Sequence, residues 1–281
     1  MLCFKILKQI IHHGNSQLMK DQNGIKMKIK TINDFMISNE DPEILFWVGC
    51  AGSFDDRYKK VTKAFVKILN KLKINFAILG DEETCTGDPA RRAGNEYLFQ
   101  MQALNNISTL NKYNIKKIVT MCPHCFNTIK NEYPELGGNY IVIHHSEFLD
   151  ELIKEGRLIS KKNNRKITYH DSCYLGRGNK IYEAPRNVIK TITNNLSEMN
   201  RSKENGLCCG AGGSQIFKES ESGKAEINIE RIKDIQKVDP DTVALACPFC
   251  LTMINDGIKE KNLDKKIEVK DITELIADNL K

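Results

Sequence analysis

The sequence predicts an α/β fold made of two tandem homologous βα lobes related by pseudo-twofold symmetry, with cysteines at the carboxyl ends of strands. Short apolar segments of strand length alternate with amphipathic segments of helical period, which is typical of parallel βα units. The same order of segments then occurs a second time, with cysteines at matching places. A chain of 281 residues is long enough for two domains of ordinary size.

In the first half, the segment EILFWVGC at positions 43–50 has the apolar run of a short buried strand. Residues 58–71 show an amphipathic helical period, and NFAILG at positions 75–80 is a second apolar strand. Proline is tolerated in a first helical turn, so we expect a long helix from Pro89 to about Leu110. The strand KKIVTMC follows and ends in a cysteine.

The second half repeats this plan. KITYHDSC at positions 166–173 is a strand that ends in a cysteine, and APRNVIKTI at positions 184–192 is a helix. We interpret NLSEM at positions 195–199 as a short strand, residues 226–236 as a helix and DTVALAC at positions 241–247 as a strand that again ends in a cysteine.

Three segments are predicted from these patterns. Residues 1–40 show no clear period and are expected to form a disordered N-terminal tail, in which Met27 offers a second plausible translation start. The first cysteine-rich lobe spans residues 41–158 and the second spans residues 165–281. Hydrophobic residues make up 41% of the chain and charged residues 28%, so each lobe can bury a core of its own.

The charge pattern excludes some classes of function. The net charge of +6 arises from 42 basic and 36 acidic residues that are scattered along the chain, so no nucleic-acid-binding surface is predicted. No segment approaches the roughly 18 apolar residues that span a bilayer, and the opening apolar run is broken by lysines and histidines. We expect a cytoplasmic protein that associates with a membrane only through a partner. In that reducing compartment, the ten cysteines are expected to be ligands or redox thiols.

The cysteines repeat at nearly constant spacing, because each first-half cysteine from position 50 onward has a counterpart 123 or 125 residues later. Ligands collect outside the carboxyl ends of strands in open α/β sheets, so each half predicts one metal site. The first-site candidates are Cys50, Cys85, Cys122 and Cys125. The second-site candidates are Cys173, Cys208, Cys209, Cys247 and Cys250. Cys3 belongs to neither set.

Three kinds of chemistry use cysteines in this pattern. Structural zinc takes four ligands in a tetrahedron, but the second set contains five cysteines, and the adjacent Cys208 and Cys209 would struggle to reach one ion. An iron-sulfur cluster has no such difficulty, since neighbouring thiolates can bind different irons. A metal-free thiol redox site would explain the Cys122-Pro123-His124-Cys125 segment alone, but not its duplicate or the upstream cysteines.

The complete second motif reads Cys173-x34-Cys208-Cys209-Gly210-x36-Cys247-x2-Cys250. It resembles the cysteine-rich, CCG-type motif found in the B subunit of heterodisulfide reductase. The bacterial relatives of that family include the iron-sulfur subunits of anaerobic glycerol-3-phosphate dehydrogenase, of glycolate oxidase and of the lactate-utilisation system. The resemblance covers roughly residues 43–260 and is specific, because the motif is long and duplicated.

This resemblance implies a noncubane 4Fe-4S cluster held by the five cysteines of the second motif. The first motif departs from the pattern, because Cys85-Thr86-Gly87 stands where CCG is expected. Its four remaining thiolates suit either an ordinary cubane 4Fe-4S cluster or a modified site with an open iron. The chain itself has no ferredoxin-type cysteine run, so the resemblance implies a partner that is a separate flavoprotein or a ferredoxin-type iron-sulfur protein.

Two functions are compatible with this resemblance. In the first, the chain is part of an oxidoreductase and transfers electrons between a flavin or ferredoxin partner and a disulfide or quinone-type acceptor. In the second, it is an electron relay within a glycolate, lactate or glycerol-3-phosphate type of dehydrogenase and has no substrate chemistry. His170 is the single candidate for proton transfer, although a histidine beside a strand end is more often a core residue.

A few other residues carry expectations. Asp88 before Pro89 is predicted to cap a helix. His124 is expected to face solvent, and the alternative role for it is to tune a cluster. Capping or packing is expected of His144 and His145, which precede a helix. Gly210 suits a turn with positive φ or a backbone N–H donor to a metal site.

Overall fold

The computed structural model describes residues 17–20, 26–219 and 223–281. In these residues the chain forms two sheets flanked by helices, which confirms the α/β class. The strands are β1 (Gln17–Lys20), β2 (Lys26–Thr31), β3 (Ile44–Trp47), β4 (Phe76–Ile78), β5 (Lys117–Thr120), β6 (Ile141–His144), β7 (Ile167–Tyr169), β8 (Thr242–Leu245) and β9 (Glu268–Asp271).

The α-helices alternate with these strands in most of the described chain. They are α1 (Ile32–Ser38), α2 (Gly49–Phe54), α3 (Tyr58–Lys71), α4 (Asp88–Arg92), α5 (Glu96–Lys112), α6 (Pro123–Asn127), α7 (His145–Lys154), α8 (Gly176–Asn179), α9 (Glu183–Lys190), α10 (Ile227–Val238), α11 (Pro248–Glu260) and α12 (Ile272–Asn279). None of the helices in the described ranges is long and apolar enough to cross a membrane.

Parallel pairing places the cysteine-bearing ends of the strands at common edges. The first sheet has the order β1-β2-β4-β3-β5-β6, and only β1 and β2 pair antiparallel. The second sheet has the order β7-β8-β9 and is parallel throughout. Parallel strands of one sheet end at the same edge, so the loops after β4, β3 and β5 are neighbours, as are those after β7 and β8.

Successive side chains of β3 point to opposite faces of the first sheet. Ile44 and Phe46 enter one hydrophobic core, while Leu45 and Trp47 enter the other. Both faces are therefore covered, which explains why this strand reads as a continuous apolar run. The Trp47 side chain is fully buried in the second of these cores.

One of these cores extends across both halves of the chain. It contains Phe46 and Phe65 from the first half together with Ile189, Val243 and Ile254 from the second half, all fully buried. Burying a side chain of this size contributes about 1.5–3 kcal/mol. The two sheets thus share one hydrophobic interior.

Several elements differ from the sequence-based expectation. The strand β2 and the helix α1 belong to the first sheet and its cover, although they lie in the segment assigned to the tail. The prediction of one long helix from Pro89 to Leu110 is wrong, because the helix is interrupted at residues 93–95. Gly94 has a φ of +85° at this point, and the Asn95 side chain caps the next helix, α5. The prediction of a strand at residues 195–199 is also wrong, since Leu196 forms only an isolated β-bridge to Ile167.

Candidate metal centres

The four first-motif cysteines lie at the ends of three adjacent strands. Cys50 is in α2, which follows β3, and Cys85 lies in the loop after β4. Cys122 is the N-cap residue of α6 directly after β5, and Cys125 is inside that helix. The order β4-β3-β5 brings these three segments to one edge of the sheet. The structure therefore gathers the residues that the sequence assigns to the first site.

The thiols of the first site interact with each other. Interaction with Cys50 lowers the pKa of the Cys85 thiol to about 7, and the same contact raises the pKa of Cys50. Interaction with Cys122, followed by burial, raises the pKa of Cys125, and Cys50 and Cys85 add to this effect. Thiols that interact in this way form one compact donor set.

The second site is arranged in the same manner around β7 and β8. Cys173 follows β7, and the adjacent Cys208 and Cys209 lie in a loop. Cys247 is the N-cap residue of α11 after β8, and Cys250 is inside that helix. Three of the five thiols are buried and two are half-buried.

The five second-site sulfurs form a continuous series of contacts. Cys208 interacts with Cys173 and with Cys209, and these contacts lower its pKa while they raise the pKa of both partners. Cys209 also interacts with Cys250, and the pKa of Cys250 is raised by Cys209 and Cys247. The two adjacent cysteines therefore point to different neighbours.

This donor set suits a polynuclear metal centre. Buried thiolates so close together repel each other. The pKa is raised for some of the thiols and lowered for others, so they cannot all ionise together without a positive charge nearby. Metal binding requires the thiolate form, and the positive charge of a bound centre removes the repulsion. The described residues of both sites therefore have the chemistry of metal ligands.

A glycine turn supports one cysteine in each half. Gly87 and Gly210 occupy equivalent positions and have φ values of +91° and +93°. The Gly210 N–H lies 3.3 Å from the Cys208 Sγ, and the Gly87 N–H interacts with the Cys85 thiol in the same way. Gly210 thus has both the positive φ and the N–H directed at a cysteine sulfur.

Thr86 occupies the position that Cys209 holds in the second motif. Its Oγ1 lies 3.9 Å from the Cys125 Sγ, just as Cys209 interacts with Cys250. The hydroxyl is buried, and its side chain points into the first site. The first motif therefore keeps the geometry of the fifth position and has lost only its thiol.

Buried polar side chains fix the loops that carry the first-site cysteines. The Glu83 carboxylate accepts hydrogen bonds from the backbone N–H groups of Val48 and Gly49, at 3.0 and 2.6 Å. Burial raises the pKa of Glu83 to about 7. The Asn106 Nδ2 donates to the Cys85 carbonyl oxygen at 2.9 Å. Sequence reasoning missed both residues, since neither lies in a recognisable motif.

An ion pair fixes the loops of the second site. Arg186 donates to both carboxylate oxygens of Asp171, at 2.7 and 2.9 Å, and also pairs with Glu198. The same Asp171 carboxylate accepts the backbone N–H of Lys203 at 2.8 Å. It therefore connects the segment before Cys173 to the segment that leads to Cys208 and Cys209.

His170 lies against the second site but does not have the character of a proton carrier. Its Nδ1 accepts a hydrogen bond from the Arg231 Nε at 3.0 Å, which leaves the proton on the buried Nε2. Burial, and then the Arg231 charge, lower the pKa of His170 to about 3, so the ring is neutral at physiological pH. His170 is nevertheless close to the second site, since a nitrogen of its ring and the Sγ atoms of Cys209 and Cys250 lie within 4.8 Å of one another.

Two expectations about the first-motif helix are wrong. Asp88 does not cap α4, because Gly87 is the N-cap residue and Asp88 is the first helical residue. His124 does not face solvent; it is 7% exposed, and its Nδ1 lies 2.8 Å from the Asp88 carboxylate. Burial opposes protonation of this ring, but Asp88 and the sulfur of Cys247 outweigh burial and raise the pKa of His124.

The histidine pair at positions 144 and 145 has a structural role. His144 is the N-cap residue of α7 and forms a capping box with Glu147, which confirms the expected capping. The Nε2 of His145 lies 3.3 Å from Asp271, and both side chains are fully buried. Asp271 is in turn the N-cap residue of α12, so this contact joins the two halves. Cys3 lies outside the described residues.

Comparison with known families decides the relationship. The model of the CCG cysteine-rich domain matches the chain twice, over residues 44–130 and 167–255. The chain belongs to the CCG cysteine-rich domain family. Each match contains one complete candidate site, so this member carries the domain in duplicate.

Family relatives with similar sequences are larger proteins. The EtfAB:quinone oxidoreductase of Syntrophomonas wolfei is 43% identical over 263 residues, which cover 91% of this chain and 36% of the relative. The probable iron-sulfur-binding oxidoreductase FadF of Bacillus subtilis is 44% identical over 90% of this chain and 36% of its own length. The D subunit of the dihydromethanophenazine:CoB–CoM heterodisulfide reductase of Methanosarcina barkeri is 33% identical, over 97% of this chain and 66% of the relative. The chain thus spans about a third of the length of the first two relatives.

Proposed function

We propose that this chain is the iron-sulfur, electron-transferring component of an oxidoreductase complex, with one cluster in each half. The observation that carries the proposal is the continuous series of five interacting thiols in the second site. Membership of the CCG family and the similarity to iron-sulfur relatives support the choice of iron and sulfur. A bound cluster would supply one-electron chemistry at each site.

The second-site contacts favour a cluster over zinc. Zinc is held by four ligands at one point, whereas the chain presents five thiols of which Cys208 turns to Cys173 and Cys209 turns to Cys250. Different irons of one cluster can take these two directions. A metal-free thiol pair would leave three of the five second-site thiols without a role.

The two sites are proposed to hold different clusters. The five cysteines of the second motif would bind the noncubane 4Fe-4S cluster, and Cys50, Cys85, Cys122 and Cys125 would bind a cubane 4Fe-4S cluster. The hydroxyl of Thr86 at the fifth position supports this difference, since it is a much poorer iron ligand than a thiolate. We further propose that the two halves are homologous lobes related by pseudo-twofold symmetry.

For the role in the complex, electrons would pass from a flavoprotein or ferredoxin-type partner through this chain to a disulfide or quinone-type acceptor. The second candidate is a pure relay without substrate chemistry. The neutral, fully buried His170 favours the relay, because burial and the Arg231 charge keep this ring neutral and so prevent it from gaining and losing a proton near neutral pH. A cytoplasmic location remains a prediction.

The test is anaerobic quantitation of iron and sulfide with EPR spectroscopy on the full chain and on Cys209→Ser and Cys85→Ser. Wild type should contain about eight irons from two four-iron clusters. Each variant should change one EPR signal and leave the other, since each removes a ligand from one site only. Zinc or free thiols without iron, after anaerobic reconstitution, would contradict the proposal.

A second measurement separates the two roles. The purified protein is incubated with an artificial one-electron donor and either a disulfide or a soluble quinone. Turnover of the disulfide would show substrate chemistry and reject the pure relay. Reduction of the clusters without turnover of either acceptor would favour the relay.

A further inference from the structure

The helix α5 is apolar on two opposite faces. Its inner face packs into a hydrophobic core through Phe99, Ala103 and Ile107. Its outer face presents four large apolar side chains that are between 43% and 77% exposed, namely Tyr97, Leu98, Met101 and Leu104. A surface helix normally carries polar or charged side chains on that side. The helix α3 follows this rule, because its buried apolar residues alternate with five lysines.

The α5 outer face is also uncharged. Residues 97–111 include no Asp, Glu, Lys or Arg, although these residue types make up 28% of the chain. The cores of protein–protein interfaces are likewise depleted in charge and enriched in Tyr and Met. The four apolar side chains present on the order of 400 Å² of apolar area, and patches of roughly 300–600 Å² on a monomer are often functional. The composition of the α5 outer face is therefore that of a protein-binding surface.

Only the width of α5 separates this face from the loop of the first centre. On the inner side of the helix, the Asn106 Nδ2 donates to the Cys85 carbonyl oxygen at 2.9 Å. Phe99 packs against Gly87 so closely that a Cβ at Gly87 would lie 2.8 Å from the phenyl ring. An α-helix with its side chains is about 10–12 Å across. A protein bound to the α5 outer face would therefore lie one helix away from the segment that carries Cys85.

The size of the α5 outer face suits a transient partner. A stable interface buries about 800 Å² on each partner, roughly twice the apolar area that these four side chains offer. Weak electron-transfer complexes bury less, below about 1,200 Å² in total. A permanent dimer through α5 would thus need more surface, whereas a partner that binds, delivers an electron and leaves would not.

The absence of charge favours a flavoprotein over a ferredoxin-type donor. A cluster held by four thiolates carries net negative charge, so a donor of that type gains from lysines or arginines on the surface that it approaches. Residues 97–111 provide none. The isoalloxazine ring of a flavin has an apolar benzenoid edge, which can approach an apolar surface without the cost of desolvating a charge.

We infer that the α5 outer face is the docking surface on which a flavoprotein donor binds by apolar contact and delivers electrons to the first centre. The inference rests on the proposed function. In each encounter one electron leaves the reduced flavin and enters the first centre, and any proton that the flavin loses goes to water. No covalent bond to this chain forms or breaks.

The experiment is rapid mixing of the anaerobically reconstituted full chain with a reduced electron-transferring flavoprotein as the probe, followed by rapid-freeze EPR. The first-centre signal is identified by its change in Cys85→Ser. Met101→Glu should lower the second-order rate constant for reduction of this centre about tenfold, because an unpaired charge would be buried in the contact. Met101→Lys should lower it as much. The wild-type rate should change little between low and high salt, since this docking does not use charge.

Ile159→Glu is the matched control. Ile159 is 55% exposed, close to the 52% of Met101, but its carbonyl oxygen accepts the backbone N–H of Lys281 at the end of the chain. This variant should be reduced by the flavoprotein at the wild-type rate. Dithionite should reduce all three variants as fast as wild type, because a small donor does not need the docking surface.

Equal rates for wild type and Met101→Glu would overturn the inference, as would a flavoprotein that does not reduce wild type. Faster reduction of Met101→Lys would also overturn it, because it would indicate docking by charge. The same tenfold loss with a reduced ferredoxin as the probe would reject the choice of a flavoprotein. A dimer in analytical ultracentrifugation that Met101→Glu abolishes would assign the surface to a second copy of the chain. The proposed function stands in all these cases, whereas wild type without iron would reject it.

Discussion

Replacing Asp171 by asparagine should destabilise the protein more than any exposed charge replacement. Asp171 shares two hydrogen bonds with Arg186, at 2.7 and 2.9 Å, and both side chains are at most 4% exposed. Removing one partner of a buried ion pair costs about 3–5 kcal/mol, because the other charge stays buried without compensation. Glu198 still pairs with Arg186 in the variant, so we expect about 3 kcal/mol, at the low end of that range.

Urea denaturation of the anaerobically purified protein, followed by circular dichroism, measures this change. Glu198→Gln is the matched control, because Glu198 binds the same guanidinium but is 38% exposed. This variant should lower the free energy of unfolding by less than about 1 kcal/mol. Asp171→Asn should also reduce second-site iron, since Asp171 joins the loops of Cys173 and Cys208. Equal losses of stability for the two variants would refute the reasoning.

The pH dependence gives an independent check. Burial opposes ionisation of Asp171, but Arg186 outweighs burial and lowers the pKa of this carboxyl below its ordinary value of 3.8. As the pH falls, Asp171 therefore takes up its proton at a higher pH in the unfolded state than in the folded state. The stabilisation that the ionised carboxylate provides above about pH 5 is lost in this range. The stability difference between wild type and Asp171→Asn should thus narrow below about pH 4. A constant difference at all pH values would contradict this assignment.

Two further variants test the site. Thr86→Cys restores the CCG pattern in the first motif. The first-site EPR signal should then resemble the second-site signal, with the iron content unchanged. An unchanged first-site signal would mean that Thr86 does not occupy a ligand position. Gly210→Ala should lower the free energy of unfolding by about 1–2 kcal/mol, because Gly210 has a φ of +93°. Gly212→Ala is the control: no heavy atom lies within 4 Å of the added Cβ, so stability should change by less than about 0.5 kcal/mol. Equal urea midpoints would reject the strained turn.

Local patterns were sufficient to predict the elements that carry ligands. The strand at Ile44–Trp47 and the helix at Tyr58–Lys71 follow from apolar runs and from helical period. The repeated cysteine spacing also predicted which thiols share a site, because strand ends in a parallel sheet converge. These features depend on near neighbours in the sequence or on the sheet alone.

Other features could not be predicted, and several of them depend on contacts between distant segments. His124 is buried because the second half packs over it, with the rings of Tyr174 and Phe249 against its own. Asp88 resembles an N-cap residue, but the positive φ of Gly87 moves the cap one residue earlier and frees the carboxylate for His124. Glu83 is one of two adjacent glutamates, and only the fold shows which one turns inward.

The hydrophobic core that spans both sheets makes each half the folding partner of the other. The helices α3 and α7 of the first half pack against α12 and α9 of the second, respectively, so their apolar faces would be exposed to water if either half were absent. Either half produced alone would therefore lose the cover of one face of its interior. The two copies of the domain can thus differ at one position, as at Thr86 and Cys209, while each still supports the fold of the other.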